Sequence, residues 1–265
     1  MTIEGESYQV VDCQKIGKCV LHYLDRPVVA EVVGKVAKGK VDAERRHTLR
    51  TFHTGTHVVF AACRRVLGPH IWQNGAKKTE INAHLDVTHF ASLTKEEEME
   101  IENEANRIIL EGHPIQKYFM DKAEAEKQFG FRLYQGGIVP GNNLRVVNIE
   151  DTDVEACCGT HCDNTNEVGW IKIFKTSRIS DGILRLYYVA GKKVLPMLNA
   201  ETKVINHLKD MWGINQTEIV PTAERIFKDY RRFENESVKQ KEALLKLQVS
   251  SFLSSKSDRV LIDST

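Results

Sequence analysis

His53-Thr54-Gly55-Thr56-His57 is the stretch around which the rest of this chain can be organised. Two histidines four residues apart on a helix project from one face and can share a metal ion. A second stretch, Cys157-Cys158-Gly159-Thr160-His161, contains a cysteine and a further histidine at the same spacing. A fold that brought the two stretches together would supply the ligands of a tetrahedral site, so we predict one bound Zn²⁺.

Spacing alone does not identify the cysteine ligand of this site. Cys158 and Cys162 are also four residues apart, and either could replace Cys157 as the thiolate. A buried, reduced thiol is the simplest role for a cysteine that is left over. The helix lacks the His-Glu-x-x-His pattern with which a metalloprotease helix supplies its own general base. Thr54 and Thr56 either hydrogen-bond to the preceding helical turn or contact a small polar ligand.

The composition is that of an ordinary globular protein. The 265 residues are 42% hydrophobic and carry 37 basic against 36 acidic side chains, a net charge of +1. This balance excludes a generally basic nucleic-acid coat and leaves room for a local basic patch. The candidates for such a patch lie around the histidines on the predicted helix: Arg45, Arg46, Arg50, Arg64 and Arg65.

Compartment is indicated by what the sequence lacks. No stretch approaches the roughly 20 apolar residues of a membrane helix, and the first residues do not have the pattern of a signal peptide. Six cysteines, three of them between residues 157 and 162, fit reduced thiols and metal ligation better than a disulfide scaffold. We therefore predict a cytoplasmic protein with no membrane partner.

Local patterns predict an α+β fold. Residues 1–42 contain short β-type runs, among them 28–33, and suggest part of a small β-barrel-like segment. A helix is predicted from about residue 42 to 67. Its apolar stripe lies well away from His53 and His57, so the stripe can pack while the histidines face a cleft.

The predicted mixed domain covers residues 43–191 and is followed by a helical extension. Within the domain, Asn74-Gly75 predicts a turn between two strands. Residues 192–265 form the extension, with a helix at about 222–248 whose heptad-spaced apolar residues are interrupted by polar ones. Such a helix is expected to pack on a neighbour. Residues 258–263 resemble a last strand.

Four motifs, taken in order, resemble the editing domain of alanyl-tRNA synthetases and of its free-standing relatives. They are the His53–His57 stretch, Gln73-x-Gly75, the run Asp86-Val87-Thr88-His89-Phe90, and Cys157-x-Gly159-Thr160-His161. The resemblance covers roughly residues 8–191. The helical extension resembles the connector that leads into a C-terminal dimerisation region, which implies a homodimer through these helices.

The resemblance implies an aminoacyl-tRNA hydrolase that acts on mischarged tRNA(Ala), chiefly its seryl and glycyl esters. A site built for alanine rejects small competitors by only ~10- to 200-fold, so a second, hydrolytic site is needed. The partner would be the acceptor end of tRNA(Ala). The implied zinc ligands are His53, His57, Cys157 and His161.

Further roles follow from the same resemblance. Gln73 would position the substrate, and Thr54 and Thr56 would contact the serine hydroxyl. Four arginines would contact phosphates of the acceptor end, or else form a solvated helix face: Arg45, Arg46, Arg50 and Arg64. No carboxylate or histidine is evidently free to act as a general base. The 2′- or 3′-hydroxyl of the terminal adenosine is the alternative.

Two features depart from the family pattern. Cys158 stands where a second glycine is common, and the aminoacylation motifs are absent. We therefore interpret the chain as a fragment of a synthetase. The alternatives are a free-standing editing protein, a related editing domain like that of threonyl-tRNA synthetases, and a tRNA-binding and dimerisation module with a structural zinc.

Overall fold

The computed structural model describes residues 1–17, 19–28, 32–137 and 139–254, and its architecture is α+β as predicted. The described strands are β1 (Thr2–Ile3), β2 (Glu6–Ser7), β3 (Val10–Ile16), β4 (Cys19–Leu24), β5 (Ala37–Lys38), β6 (Gln73–Lys78), β7 (Ala83–Thr88), β8 (Ile115–Asp121), β9 (Asn143–Ile149), β10 (Asp153–Ala156), β11 (Ile171–Ser180) and β12 (Ile183–Ala190). The described α-helices are α1 (Ala43–Leu67), α2 (Lys95–Glu111), α3 (Lys122–Phe129), α4 (Val194–Trp212) and α5 (Ile219–Ser254).

The chain divides into two compact units, residues 1–195 and 196–265. The predicted boundary at residue 42 between a β-rich segment and the mixed domain stays a prediction. In the first unit, β1 pairs with β2 and β5, and β3 pairs with β4 in a separate hairpin. The predicted strand at residues 28–33 lies partly outside the described residues, and the predicted strand at 258–263 lies wholly outside them.

Helix α1 is the centre of the first unit. It contacts strands of a four-stranded antiparallel sheet, ordered β11-β12-β7-β6, and strand β10 of a three-stranded antiparallel sheet, ordered β10-β9-β8. Helix α2 also packs on it. Contacts on several sides explain why its buried residues are not confined to one stripe, and why Phe52, Val58, Val59 and Ala62 are 0% exposed. Each large side chain among them contributes about 1.5–3 kcal/mol by burial.

The ends of the first two helices follow the sequence signals. The Asp42 side chain accepts a hydrogen bond from the Arg45 N–H at 2.9 Å and caps α1. Thr94 and Glu97 form a capping box at α2, and Gly112 ends that helix in the left-handed conformation. These local interactions fix where α1 starts, and therefore where the two histidines lie along it.

The predicted turn at Asn74-Gly75 is wrong. Both residues lie within β6, at a bulge in its pairing with β7, and Gly75 does not have a positive φ. The chain turns later, where the Thr79 hydroxyl accepts hydrogen bonds from the N–H groups of Ile81 and Asn82. A Thr side chain that mimics a backbone turn serves here in place of an Asn-Gly turn.

The described part of the second unit, residues 196–254, is largely helical, as predicted. Helix α5 begins at Ile219, before the predicted residue 222, and α4 and α5 each contain a proline near the start, Pro196 and Pro221. Proline is tolerated there because the first N–H groups of a helix have no intrahelical partner. Apolar side chains on α5 are exposed: Ile226, Phe227, Tyr230, Phe233, Leu244 and Leu247. Within the described residues, no helix combines the length and apolar character that crossing a membrane requires.

Candidate metal centre

The fold brings the four predicted ligands together. His53 and His57 lie on α1, and Cys157 and His161 lie on the loop that follows β10. One potential ligand atom from each of the four lies within 4.8 Å of the others. The Cys157 Sγ is 3.4 Å from His53 Nε2 and 3.3 Å from His161 Nε2. The ring centroids of the three histidines are 4.3 to 5.6 Å apart.

These distances suit a tetrahedral zinc ion. Bonds of about 2.3 Å to sulfur and 2.05 Å to nitrogen place the two ligand atoms roughly 3.5 Å apart across a tetrahedral angle. The two Sγ–Nε2 distances, 3.3 and 3.4 Å, are close to this value. The donor set of three imidazoles and one thiolate is also one that zinc prefers. The residues therefore fit the predicted ion, although their role as ligands stays a prediction.

The ligand loop is shaped by Gly159 and Arg145. A Cβ atom on Gly159 would lie 1.8 Å from His53 Cε1 and 2.1 Å from His53 Nδ1, so only glycine allows the ring its position. The Arg145 guanidinium donates hydrogen bonds to the carbonyl oxygens of Cys157 at 2.6 Å and of Gly159 at 2.9 Å. The loop is thus held from one side by Arg145 while His53 fills the other.

The structure places Cys157 in the cluster, and neither Cys158 nor Cys162 is part of it. Cys158 is exposed. Cys162 is buried, and its backbone N–H donates to Thr54 Oγ1 at 3.0 Å. The geometry favours the thiolate that the family resemblance implied.

Two buried carboxylates support His57 from behind. Its Nδ1 is 3.0 Å from Asp153 Oδ2 and 2.9 Å from Glu155 Oε2, which leaves Nε2 to face the cluster. His57 is 2%, Asp153 8% and Glu155 1% exposed, so the expected open cleft does not exist at this histidine. Carboxylates in this position fix the tautomer and the orientation of a metal-binding imidazole.

The two carboxylates were missed in the sequence, although a signal was present. Asp153, Glu155 and Cys157 alternate along β10 and its continuation. A period of two places such residues on one face of a strand. Two acidic residues that precede a ligand cysteine by two and four positions lie on its face of the strand. This pattern indicates carboxylates that can hydrogen-bond to a metal-binding histidine.

The charges of the cluster call for a cation. Burial raises the pKa of Glu155 to about 7, and the neighbouring Asp153 acts in the same direction. Burial lowers the pKa of His57, but Glu155 and hydrogen bonds to Asp153 and Cys157 outweigh it, so this pKa lies well above its ordinary value. Because one Nδ1 proton cannot serve two carboxylates, Glu155 Oε2 has no well-aligned donor. A bound dication would compensate this excess of buried negative charge.

The other three ligands are poised in the forms that bind metal. Burial opposes ionisation of Cys157, but hydrogen bonds from the three histidines lower the pKa of its thiol to about 2. Burial lowers the pKa of His161 to about 4 and also lowers the pKa of His53. Near neutral pH the cluster therefore presents one thiolate and two neutral imidazoles, as zinc ligation requires.

The two threonines of the first motif have different surroundings. Thr54 Oγ1 accepts the hydrogen bond from the Cys162 N–H and lies 3.5 Å from His161 Nδ1. The Thr56 hydroxyl donates to the Phe52 carbonyl oxygen at 2.9 Å and lies 2.8 Å from the Tyr188 hydroxyl. The structure brings Thr54 to the edge of the cluster and engages Thr56 elsewhere. Contact of either hydroxyl with a substrate serine stays a prediction.

Gln73 reaches the cluster through a second glutamine that sequence reasoning missed. Its Nε2 donates to Gln135 Oε1 at 3.3 Å, and Gln135 Nε2 lies 3.5 Å from His57 Nε2. Gly136 follows with φ +69°, and a Cβ there would lie 2.8 Å from the Gln73 carbonyl oxygen. The sequence shows the glycine beside Gln135 but not the close approach that this glycine permits. The Gln135 amide thus borders the metal-facing nitrogen of His57, and the Gln73 amide is bonded to Gln135.

The four predicted phosphate-binding arginines are not equivalent. Arg45 pairs with Glu80 at 2.7 Å, and Arg50 pairs with Glu167 at 2.8 Å. Arg46 is exposed. The Arg64 guanidinium lies 5.7 and 5.3 Å from the centroids of two aromatic rings, those of Phe60 and Trp72. The structure therefore does not gather the four into one patch around the cluster, and their role in RNA binding stays a prediction.

Comparisons with known proteins agree with the motifs. Residues 144–187 match the family described as the threonyl and alanyl tRNA synthetase second additional domain. The chain is 39% identical over 249 residues to the alanine–tRNA ligase of Pyrococcus furiosus. The aligned segment covers 94% of this chain and 27% of the relative. It is 43% identical over 228 residues to that of Methanopyrus kandleri, with 86% and 25% covered.

A further similar protein is the alanine–tRNA ligase of Thermococcus kodakarensis, 38% identical over 249 residues, with 94% of this chain and 27% of the relative covered. The chain thus spans about a quarter of the length of the curated relatives it matches. The similarity to these ligases extends along most of the sequence and agrees with the family match at residues 144–187. The two findings together show that the chain belongs to the alanyl-tRNA synthetase family.

Proposed function

We propose that this chain hydrolyses mischarged tRNA(Ala), releasing serine and glycine from the ester bond at the terminal adenosine. The observation that carries the proposal is the convergence of His53, His57, Cys157 and His161 in a member of the alanyl-tRNA synthetase family. Such a family needs a second site, because a pocket for alanine discriminates only weakly against other small amino acids.

The four residues would hold one zinc ion. Zinc bound there supplies Lewis acidity, which polarises an ester carbonyl or a water molecule. His53 is the only one of the four that is not buried, so its side of the cluster is the side from which an aminoacyl group can approach. The small size of Gly159 keeps the His53 ring in place on that side.

The chain's own groups prepare the site for the ester. Asp153 and Glu155 hold His57 through Nδ1 and direct its Nε2 inward. The amides of Gln73 and Gln135 form a relay that ends 3.5 Å from that nitrogen, where an N–H group can donate to an ester oxygen. Buried surroundings with a low effective dielectric strengthen such hydrogen bonds.

The test is release of serine from Ser-tRNA(Ala) by the zinc-loaded chain, compared with release of alanine from Ala-tRNA(Ala). We expect hydrolysis of the seryl ester and sparing of the alanyl ester. Ser-tRNA(Thr) is the control for a threonyl editing domain and should be cleaved more slowly. Gln135→Ala should slow hydrolysis about tenfold to a hundredfold with zinc retained, since a misplaced substrate reacts that much more slowly.

A structural zinc in a tRNA-binding module is the second candidate, and a specific observation favours it. The four clustered side chains would fill all four positions of a tetrahedral ion, as in structural sites, whereas catalytic sites usually keep one position open. Cys157→Ala decides between the two. If the variant loses zinc but still releases serine at the original rate, zinc takes no part in hydrolysis, and the second candidate is favoured over metal-assisted catalysis.

The remaining elements of the proposal concern partners and location. The acceptor end of tRNA(Ala) is the proposed partner. A homodimer through the helical unit would cover the exposed apolar residues of α5, and light scattering on the purified chain measures its mass directly. The reduced thiols, including the ligand Cys157, suit a reducing compartment, and we therefore place the protein in the cytoplasm.

A further inference from the structure

A basic pocket lies in the first unit near the C-terminal end of α1. It has a volume of about 290 Å³, and the side chains that line it include Arg64, Arg65, Arg132 and Asp151. Arg64 and Arg65 come from α1, and Arg132 comes from the short 3₁₀ helix Gly130–Leu133. The pocket therefore collects three guanidinium groups from two separate elements around one cavity.

Arg65 is already engaged within the protein. Its guanidinium donates to Glu104 Oε1 at 2.8 Å and to the Asp151 carbonyl oxygen at 2.7 Å. Asp151 has a positive φ of 52°, and the bond from Arg65 ties this turn to the helix. Arg65 thus builds the wall of the pocket, and its charge is balanced by Glu104.

Arg64 and Arg132, in contrast, have no carboxylate partner among the described residues. The Arg64 guanidinium lies over the rings of Phe60 and Trp72, which attract it without neutralising its charge. Burial lowers the pKa of Arg64 and the positive charge of Arg132 lowers it further, while the carboxylates of Asp153 and Glu155 act in the opposite direction. Two like charges that face one pocket repel each other, and an anion placed between them would remove this cost.

The size and donors of the pocket suit a phosphate group. Each guanidinium offers several N–H donors in a planar fork that matches the oxygens of a phosphate, often two at a time. Asp151 is the one carboxylate that lines the pocket, and it does not balance the unpaired pair of arginines. Phosphate contacts of this kind position an RNA strand without reading its sequence.

We propose that Arg64 and Arg132 together bind one phosphate of an RNA strand in this pocket. The proposal rests on the proposed function in that the strand would be the acceptor arm of tRNA. It separates the arginines of α1 into two classes. Arg64 binds RNA with Arg132 as its partner, whereas Arg45 and Arg50 serve internal ion pairs with Glu80 and Glu167.

The experiment measures binding of a fluorescein-labelled RNA hairpin that copies an uncharged tRNA acceptor stem, by fluorescence anisotropy over a range of salt concentrations. Arg132→Gln should weaken binding about tenfold, the loss typical of a charge-assisted contact. The slope of log K against log salt should fall by about 0.7 to 0.9, which corresponds to one lost phosphate. Arg178→Gln is the matched control. Arg178 is a surface arginine paired with Asp181, and its substitution removes the same charge from the chain.

The double variant Arg64→Gln/Arg132→Gln tests whether one phosphate is shared. A shared phosphate predicts the same fall in slope as Arg132→Gln alone, and a fall twice as large contradicts it. Equal weakening by Arg132→Gln and Arg178→Gln would overturn the proposal by showing that only overall charge matters.

A competition arm and the choice of RNA complete the test. Inorganic phosphate that displaced the hairpin from the wild-type chain at low millimolar concentration would contradict an RNA-specific site, because a free ion would then suffice. The RNA carries no amino acid, so this measurement does not depend on hydrolysis. A chain that bound RNA through the pocket but released no serine would disprove the proposed function alone.

Discussion

Replacement of Gly159 by alanine is the sharpest single perturbation of the candidate metal centre. The new Cβ would lie 1.8 Å from His53 Cε1, and contacts below 3.0 Å are essentially never seen. The His53 ring must therefore retreat by about 1.2 Å, the difference between these two distances. The loop cannot retreat instead, because Arg145 holds its carbonyl oxygens at residues 157 and 159.

The size of the effect follows from the bonds that zinc requires. Distances in a genuine site agree with ideal values within about 0.2 Å, so a shift of more than 1 Å removes His53 as a ligand. Structural zinc sites contribute roughly 10–16 kcal/mol through four ligands, or about 3 kcal/mol for one. Loss of one ligand therefore weakens zinc binding by roughly a hundredfold.

The assay is a zinc titration in competition with a chelator, together with thermal unfolding of the zinc-free protein. Gly55→Ala is the matched control, because its Cβ would make only ordinary contacts of 3.5–3.7 Å with Tyr188, Ile171 and Val168. It should bind zinc like the wild type, although Gly55 lies between two ligands in the first motif. Retention of wild-type affinity by Gly159→Ala would refute the reasoning.

Two further predictions follow from the residues behind the cluster. Because its raised pKa leaves His57 protonated in the zinc-free protein near pH 7, zinc must displace a proton from Nε2, and affinity should rise with pH through this range. Calorimetry in two buffers should show that zinc binding releases about one proton from the wild type. Glu155→Gln removes a cause of the raised His57 pKa, so this variant should release less than one proton and bind zinc about tenfold more weakly. Unchanged proton release by the variant would contradict the role of Glu155. Thr54→Val should destabilise the fold by about 1–3 kcal/mol, because it leaves the buried Cys162 N–H without its acceptor. Thr54→Ser should restore the melting temperature, and a Thr54→Val variant as stable as the wild type would show that this hydrogen bond contributes nothing.

Local signals in the sequence were sufficient for the helices around the site. The Asp42 cap, the Thr94 capping box and the terminating glycines act within a few residues, so the ends of α1 and α2 are determined locally, and α1 was predicted from the sequence. The spacing of His53 and His57 on one helix was sufficient to propose a shared metal ion. These inferences needed no knowledge of distant contacts.

What could not be predicted depends on contacts between distant segments. The burial of His57 arises because β10 brings Asp153 and Glu155 against α1 from about a hundred residues away. A helical wheel records the polarity of a helix face but not the partner that covers it, so a face with two histidines looked like a cleft. Gln135 is likewise linked to Gln73 only in space.

Release of serine from Ser-tRNA(Ala), followed over time with zinc-loaded wild type and with the Cys157→Ala variant, tests the account most directly. We predict that the wild type releases serine and leaves Ala-tRNA(Ala) intact. The Cys157→Ala variant should lose both zinc and hydrolysis while its folded structure persists. No release of serine by a folded, zinc-loaded wild type that binds the tRNA would contradict it.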